Sequence, residues 1–71
     1  MIYNTQVESS AISNVKYNSD NGLMSITFIQ GREYDYPNVP LKEYYNLIGA
    51  ESIGRYFNQH IKKYSVNFSE N

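Results

Sequence analysis

The chain has no cysteine, no tryptophan and a single histidine among 71 residues. Without cysteine there can be no disulfide and no thiolate zinc site, and one imidazole is too few for a histidine-based one. A chain of this length buries only about 60% of the surface that it exposes when unfolded. Small domains usually compensate with a disulfide, a metal or a partner subunit. With the first two excluded, tight packing or self-association must supply the difference, and a homo-oligomer, dimer or tetramer, is expected. An excess of positive charge is also lacking: six Lys and Arg stand against seven Asp and Glu, a net charge of −1. Proteins that grip long nucleic acids through phosphates are normally basic, which argues against non-specific DNA or RNA binding. No stretch approaches the roughly 20 apolar residues of a membrane span. The opening Met1-Ile2-Tyr3-Asn4-Thr5-Gln6 lacks the basic start and apolar run of a signal peptide. The absence of cysteine fits a reducing compartment, so a cytoplasmic location is expected.

What is present in quantity is tyrosine: eight Tyr and three Phe. Tyrosine brings apolar area plus a hydroxyl that needs a hydrogen bond, so it suits half-buried sites and interfaces. Most of these rings are expected to fill a small core with their hydroxyls at its rim.

The pattern predicts three antiparallel strands followed by two helices, a small α+β fold in one domain spanning residues 1–71. Residues 1–13 are polar and mixed, with Val7 and Ile12 as possible anchors. Residues 14–18 alternate with Val15 and Tyr17 on one side, as in a half-buried strand. The run Ser19-Asp20-Asn21-Gly22 is turn chemistry. Residues 23–29 form a second strand with Met24, Ile26 and Phe28 on one face. Residues 32–36 form a third, stopped by Pro37. The loop between these two strands decides which face Tyr34 and Tyr36 occupy, because a one-residue slip exchanges the faces of a strand. A two-residue loop, Gln30-Gly31, would leave both rings open to a ligand and set Glu33 and Asp35 beside Phe28 and Ile26. A three-residue loop, Ile29-Gln30-Gly31, puts both rings with Met24, Ile26 and Phe28. The second is favoured because it keeps the carboxylates off the apolar face.

Asn38-Val39-Pro40 reads as a helix start, and Leu41, Tyr44, Tyr45 and Ile48 share one face of that helix. Gly49 ends it. Ser52 is a plausible N-cap for the second helix, which runs to about Lys63 or Tyr64. Ile53, Tyr56, Phe57, His60, Ile61 and Tyr64 share its broad packed face. Arg55, Gln59 and Lys62 point away, with Asn58 and Lys63 at the borders. In the tail from Ser65 only Val66 and Phe68 are apolar, so it is expected to fray or to dock on a neighbouring subunit.

Catalytic signals are weak, and a binding protein rather than an enzyme is expected. His60 lies among aromatic neighbours without an evident nucleophile. Glu33 and Asp35 share a strand face, a pattern that more often marks a solvated face than a metal or acid–base pair. There is no glycine-rich phosphate loop and no nucleophile elbow, and no cofactor is implied. The informative segment is Ser52-Ile53-Gly54-Arg55-Tyr56-Phe57-Asn58. A helix start offers free N–H groups and partial positive charge, Ser52 adds a hydroxyl, and Gly54 lets a ligand approach. Arg55 could pair with a phosphate. Between Arg55 and Tyr64 every formal charge is positive: Arg55, Lys62 and Lys63. The ordinary alternative is a Ser cap, a Gly for close packing and a solvated basic face.

The pieces at 12–17 and 23–28, the Tyr34-Asp35-Tyr36 motif, the Val39-Pro40 helix start with Tyr44 and Leu47, and Ser52 to Asn58 with Ile61 and Tyr64 together resemble the KTSC domain. This short module stands at the C-terminus of some lysyl-tRNA synthetases and also occurs as a stand-alone bacterial or phage protein. The segment around Ser52-x-Gly54-x-Tyr56-Phe57-Asn58 is the most specific of these pieces. One departure is the C-terminal tail, which lacks the basic residues usual in the family and so weakens an RNA-binding reading. The resemblance implies two ligand classes. Attachment to synthetases implies RNA or tRNA. Small stand-alone phage relatives resemble sponges that sequester cyclic oligonucleotide signals of bacterial antiphage defence, which implies a cyclic dinucleotide such as cyclic GMP–AMP. On the second reading Tyr34, Tyr36 and Tyr56 would offer stacking surfaces. Ser52, Gly54, Arg55 and Asn58 would hold the phosphates and polar edges, in a pocket shared between subunits.

Overall fold

The computed structural model describes residues 1–64. The C-terminal tail with Val66 and Phe68, for which fraying or docking is expected from sequence, lies outside the described residues. Four strands, β1 (Ile2–Gln6), β2 (Ile12–Asn18), β3 (Leu23–Phe28) and β4 (Glu33–Tyr36), form one antiparallel sheet in the order β1-β2-β3-β4. Helix α1 (Leu41–Ile48) follows. A second helical segment begins as an α-turn (Ile53–Tyr56), widens to π geometry (Phe57–Ile61) and closes with a 3-10 turn (Lys62–Tyr64). The architecture is α+β, with both helical segments on one face of the sheet. Among the described residues no helix is long and apolar enough to cross a membrane.

The three antiparallel strands expected from sequence are β2, β3 and β4, and a further short strand, β1, precedes them. Alternation in Ile2-Tyr3-Asn4-Thr5-Gln6 turns only Tyr3 and Thr5 toward the core, and Ile2 lies exposed. With no aliphatic side chain on its inner face, the segment carries no apolar signature. It is held instead by hydroxyls and rings: Thr5 hydrogen-bonds the Tyr44 hydroxyl, and the Tyr3 ring packs 5.3 Å from that of Tyr44. In β2 a bulge at Ser13, between Ile12 and Asn14, resolves a periodicity conflict. Ile12 and Val15 are three apart, which in a regular strand would put them on opposite faces. Both are fully buried.

The β3–β4 hairpin has the three-residue loop. Tyr36 pairs with Met24 and Tyr34 with Ile26, while the Phe28 amide donates to the Arg32 carbonyl. Gly31 takes φ of +105°, a conformation that side chains disfavour, and its amide closes the turn onto the Phe28 carbonyl. Ile29 therefore leaves the strand and is exposed in the loop.

Pro40 occupies the N-cap of α1. The helix buries Tyr44 and Leu47, with Leu41 and Ile48 packed alongside. Tyr45, placed by periodicity on that face, is 52% exposed at its border. Tyr44 can lie deep because its hydroxyl is hydrogen-bonded to Thr5, whereas Tyr45 takes the rim, which suits a ring with a polar tip. Phe57 and Ile61 are the deep residues of the second segment, with Ile53, Tyr56 and Tyr64 partly buried around them.

Candidate functional site

The second helical segment is the site singled out by sequence, and its geometry follows from its start. Ser52 is extended and accepts a hydrogen bond from the Arg55 amide at 3.3 Å, the N-cap geometry. From there Ile53 and Phe57 turn inward, and Arg55, Asn58, Gln59, Lys62 and Lys63 are exposed on the outer surface. Among the described residues none of the three cations in this strip forms an ion pair; the Lys63 ammonium lies 5.7 Å from the centre of the Tyr64 ring. The strip thus carries positive charge and two primary amides, groups that donate hydrogen bonds to phosphate and to base edges.

Tyr56 is half-buried rather than splayed toward solvent. Its hydroxyl donates to Glu43 Oε1 at 2.5 Å, tying the second segment to α1, and its ring stacks on His60 with centroids 4.3 Å apart. Burial, then the hydrogen bond to the Glu43 carboxylate, raises the Tyr56 pKa above its ordinary value. His60 is thus an aromatic packing partner and is itself half-buried. Gly54 sits under Ala11, whose Cβ would lie 3.6 Å from an added methyl group. That is ordinary contact, so close packing alone does not demand glycine here.

Tyr34 and Tyr36 reach this segment from beneath. The Tyr36 ring is 4% exposed and meets Phe57 edge-on at 5.5 Å. Its burial, with the Tyr34 hydroxyl as a smaller contribution, pushes its pKa up to about 12. Tyr34 is half-buried, packs on Phe28 at 5.6 Å and accepts a hydrogen bond from Arg32 at 3.4 Å. Of the seven residues singled out by sequence, Ser52, Arg55 and Asn58 are exposed, Gly54, Tyr56 and Tyr34 are half-buried, and Tyr36 is part of the core.

A feature that no sequence pattern indicates adjoins the cap. A shallow cleft of about 230 Å³ is lined by Glu8, Ser9, Ser10, Ala50, Glu51, Ser52 and Ile53. The Ser9 and Ser52 hydroxyl oxygens accept from the Ala11 and Arg55 backbone amides. The two carboxylates come from the β1–β2 loop and from the loop between α1 and the second helical segment, which only the fold brings together. They set a negative field beside Ser52, so phosphate is better served on the Arg55 side of the cap. On the opposite side of the molecule, the open sheet face carries polar rows such as Asn4, Lys16, Ser25 and Asp35 and no aromatic ring. Asp35 accepts from the Ser25 hydroxyl at 2.8 Å, and no group of acidic or histidine side chains among the described residues could hold a metal.

The sequence pattern of the KTSC domain matches residues 8–64. The chain belongs to the KTSC domain family. A KTSC domain protein from Yersinia pestis has a crystal structure that superposes with a TM-score of 0.79 at 34% identity, over 97% of this chain and 93% of that one. A protein from Tsukamurella paurometabola is 38% identical over 56 residues, 79% of this chain and 84% of its own length. One from Stutzerimonas stutzeri is 32% identical over 56 residues, 79% of each chain. The KTSC match takes in the Ser13 bulge, the β3–β4 hairpin and the whole helical segment that carries the basic strip, while β1 lies outside it.

Proposed function

We propose that this KTSC domain is a non-enzymatic binding protein for a nucleotide-type anion, a cyclic dinucleotide such as cyclic GMP–AMP, and that it acts as a sponge lowering the free concentration of such a signal. The observation that carries the reading is the exposed strip Arg55, Asn58, Gln59, Lys62 and Lys63 on one helical segment of a chain that is otherwise neutral to acidic. A local concentration of cations on a molecule of net charge −1 suits a small anion better than a long duplex. The π-widened turn beside Asn58 supports it, since such turns recur at functional sites. So does the resemblance to small stand-alone phage sponges noted from the sequence. In this arrangement Arg55 and Lys62 hold phosphate, Asn58 meets a base edge, and the accessible edges of Tyr34 and Tyr56 lie against a base. Tyr36 acts as scaffold beneath Phe57.

RNA is the competing ligand, because the same strip could follow a short backbone. The aromatic-free open sheet face removes the stacking platform that many RNA-binding sheets use. Titration calorimetry with a panel of cyclic dinucleotides and a short RNA hairpin separates the two. Saturable heat from a cyclic dinucleotide, with the nucleotide recovered chemically unchanged after long incubation, is the expected result. Heat from the hairpin alone would assign the strip to RNA, and loss of intact nucleotide would make the protein an enzyme.

A further inference from the structure

The two edges of the sheet are built differently. β4 is four residues long, carries Glu33 and Asp35 on its exposed face and ends at Pro37, the charges and proline by which natural edges resist pairing. β1 is five residues long and holds no charge, no proline and no bulge. Its free backbone groups can be assigned. The Ser19 amide donates to the Met1 carbonyl at 2.9 Å, and the Val7 amide donates to the Ser13 carbonyl at 3.1 Å. With the register Ile2↔Asn18 to Gln6↔Asn14, the antiparallel alternation makes Tyr3 and Thr5 the residues that bond to β2. The N–H and C=O groups of Ile2, Asn4 and Gln6 therefore point outward. Among the described residues no strand pairs with that side.

We infer that the outer edge of β1 is a self-association surface, and that its partner is the β1 strand of a second copy, paired antiparallel about a two-fold axis at Asn4. The sequence of the edge is self-complementary in this register. Ile2 faces the partner's Gln6, Asn4 faces the partner's Asn4, and the outward backbone groups of all three residues are matched in both directions. On the helical face Tyr3 lies opposite the partner's Thr5, and the exposed Tyr45 ring, 6.1 Å from Tyr3, overhangs the junction. Charge selects this edge: two neutral β1 strands meet without repulsion, whereas two β4 strands would oppose their carboxylates. Closure selects it as well. Pairing β1 with a partner's β4 leaves an edge open at each end and continues into a filament, while pairing β1 with β1 stops at two copies with the guarded β4 strands outermost. The inference does not depend on the nucleotide reading, since β1 lies on the sheet and takes no part in the basic strip.

The test combines mass with amide exchange. Sedimentation of the intact chain from micromolar to millimolar concentration is expected to rise toward twice its 8.3 kDa mass. Over the same range the amides of Ile2, Asn4 and Gln6 gain at least tenfold protection, while those of Tyr3 and Thr5 are protected throughout. Asn4→Lys places like charges face to face across the axis and is expected to yield a monomer. Asn4→Asp does the same, and an equimolar mixture of the two variants restores the dimer. Asp35→Lys, on the other edge, leaves assembly of the parent register unchanged. A chain that stays at 8.3 kDa throughout overturns the inference. So does a dimer whose Asn4 and Gln6 amides exchange as freely at high as at low concentration. The amide measurement needs no variant, so a substitution that failed to fold would not protect the proposal.

Discussion

Arg55 and Phe57 are two residues apart and perform opposite tasks. Arg55 is exposed and without an ion-pair partner among the described residues, so its side chain stabilises little in the free protein, and alanine is a good helix former. Arg55→Ala is expected to leave the melting temperature within about 4 °C of the parent, the shift of a surface change worth at most ~0.5 kcal/mol. It should weaken cyclic GMP–AMP binding by about tenfold or more, because a charge-assisted hydrogen bond to phosphate contributes roughly 1.5–3 kcal/mol. Calorimetry on the two proteins side by side reads both quantities, and equal affinity would remove phosphate binding from this helix. Phe57 is buried, with Phe28 and Tyr36 meeting it edge-on at 5.4 and 5.5 Å. Phe57→Ala should cost about 3–5 kcal/mol. Set against the ~5–15 kcal/mol total typical of natural domains, that leaves much of the variant unfolded, which a urea titration followed by circular dichroism would register as a large fall in the midpoint.

At the scale of elements, the β3–β4 loop shows how one residue sets a face. Deleting Gln30 would shorten the loop to two residues and turn β4 over, moving Tyr34 and Tyr36 out of the core and Glu33 and Asp35 into it. Burying carboxylates without partners costs several kcal/mol each, so the deletion is expected to abolish cooperative unfolding in a thermal melt, whereas Gln30→Ala should behave as the parent. The same reasoning explains why this hairpin is legible in the sequence: two acidic residues alternate with two tyrosines, and only one loop length keeps the acids in water. The Ser52 cap and the exposure of Arg55, Gln59 and Lys62 are legible in residue type and helical spacing in the same way. Other elements left no comparable signal. β1 buries hydroxyls and ring faces rather than aliphatic groups, so its alternation reads as polar sequence. The Ser13 bulge hides the common face of Ile12 and Val15 behind a spacing of three. The π-turn buries Phe57 and Ile61 at a spacing of four, which an ordinary α-helix produces equally well. The cleft between Glu8 and Glu51 depends on two loops that only the folded chain brings together.

At the scale of the whole molecule, stability rests on tyrosines that are neutral when folded, and this makes alkali the informative stress. The Tyr17 hydroxyl donates to the Val39 carbonyl and that of Tyr56 donates to Glu43, and burial raises the pKa of both. Tyr36, beneath Phe57, is pushed from 10.0 to about 12. An acid whose pKa is higher in the folded state keeps its proton there after the unfolded chain has released it. The unfolded state then binds fewer protons, and stability falls with rising pH. The contribution is fully present below pH 10, declines between pH 10 and 12, and is lost above the folded-state value. For Tyr36 the two-unit difference corresponds to about 2–3 kcal/mol at most. Urea midpoints of the parent are therefore expected to fall steeply between pH 10 and 12. Tyr36→Phe, which removes the hydroxyl and keeps the ring, should show a shallower decline over that interval and bind cyclic GMP–AMP as the parent does. Parallel declines in the two proteins would mean that Tyr36 ionises as readily in the folded chain as in the unfolded one, which would place its hydroxyl in water and return the ring to the list of surfaces open to a ligand.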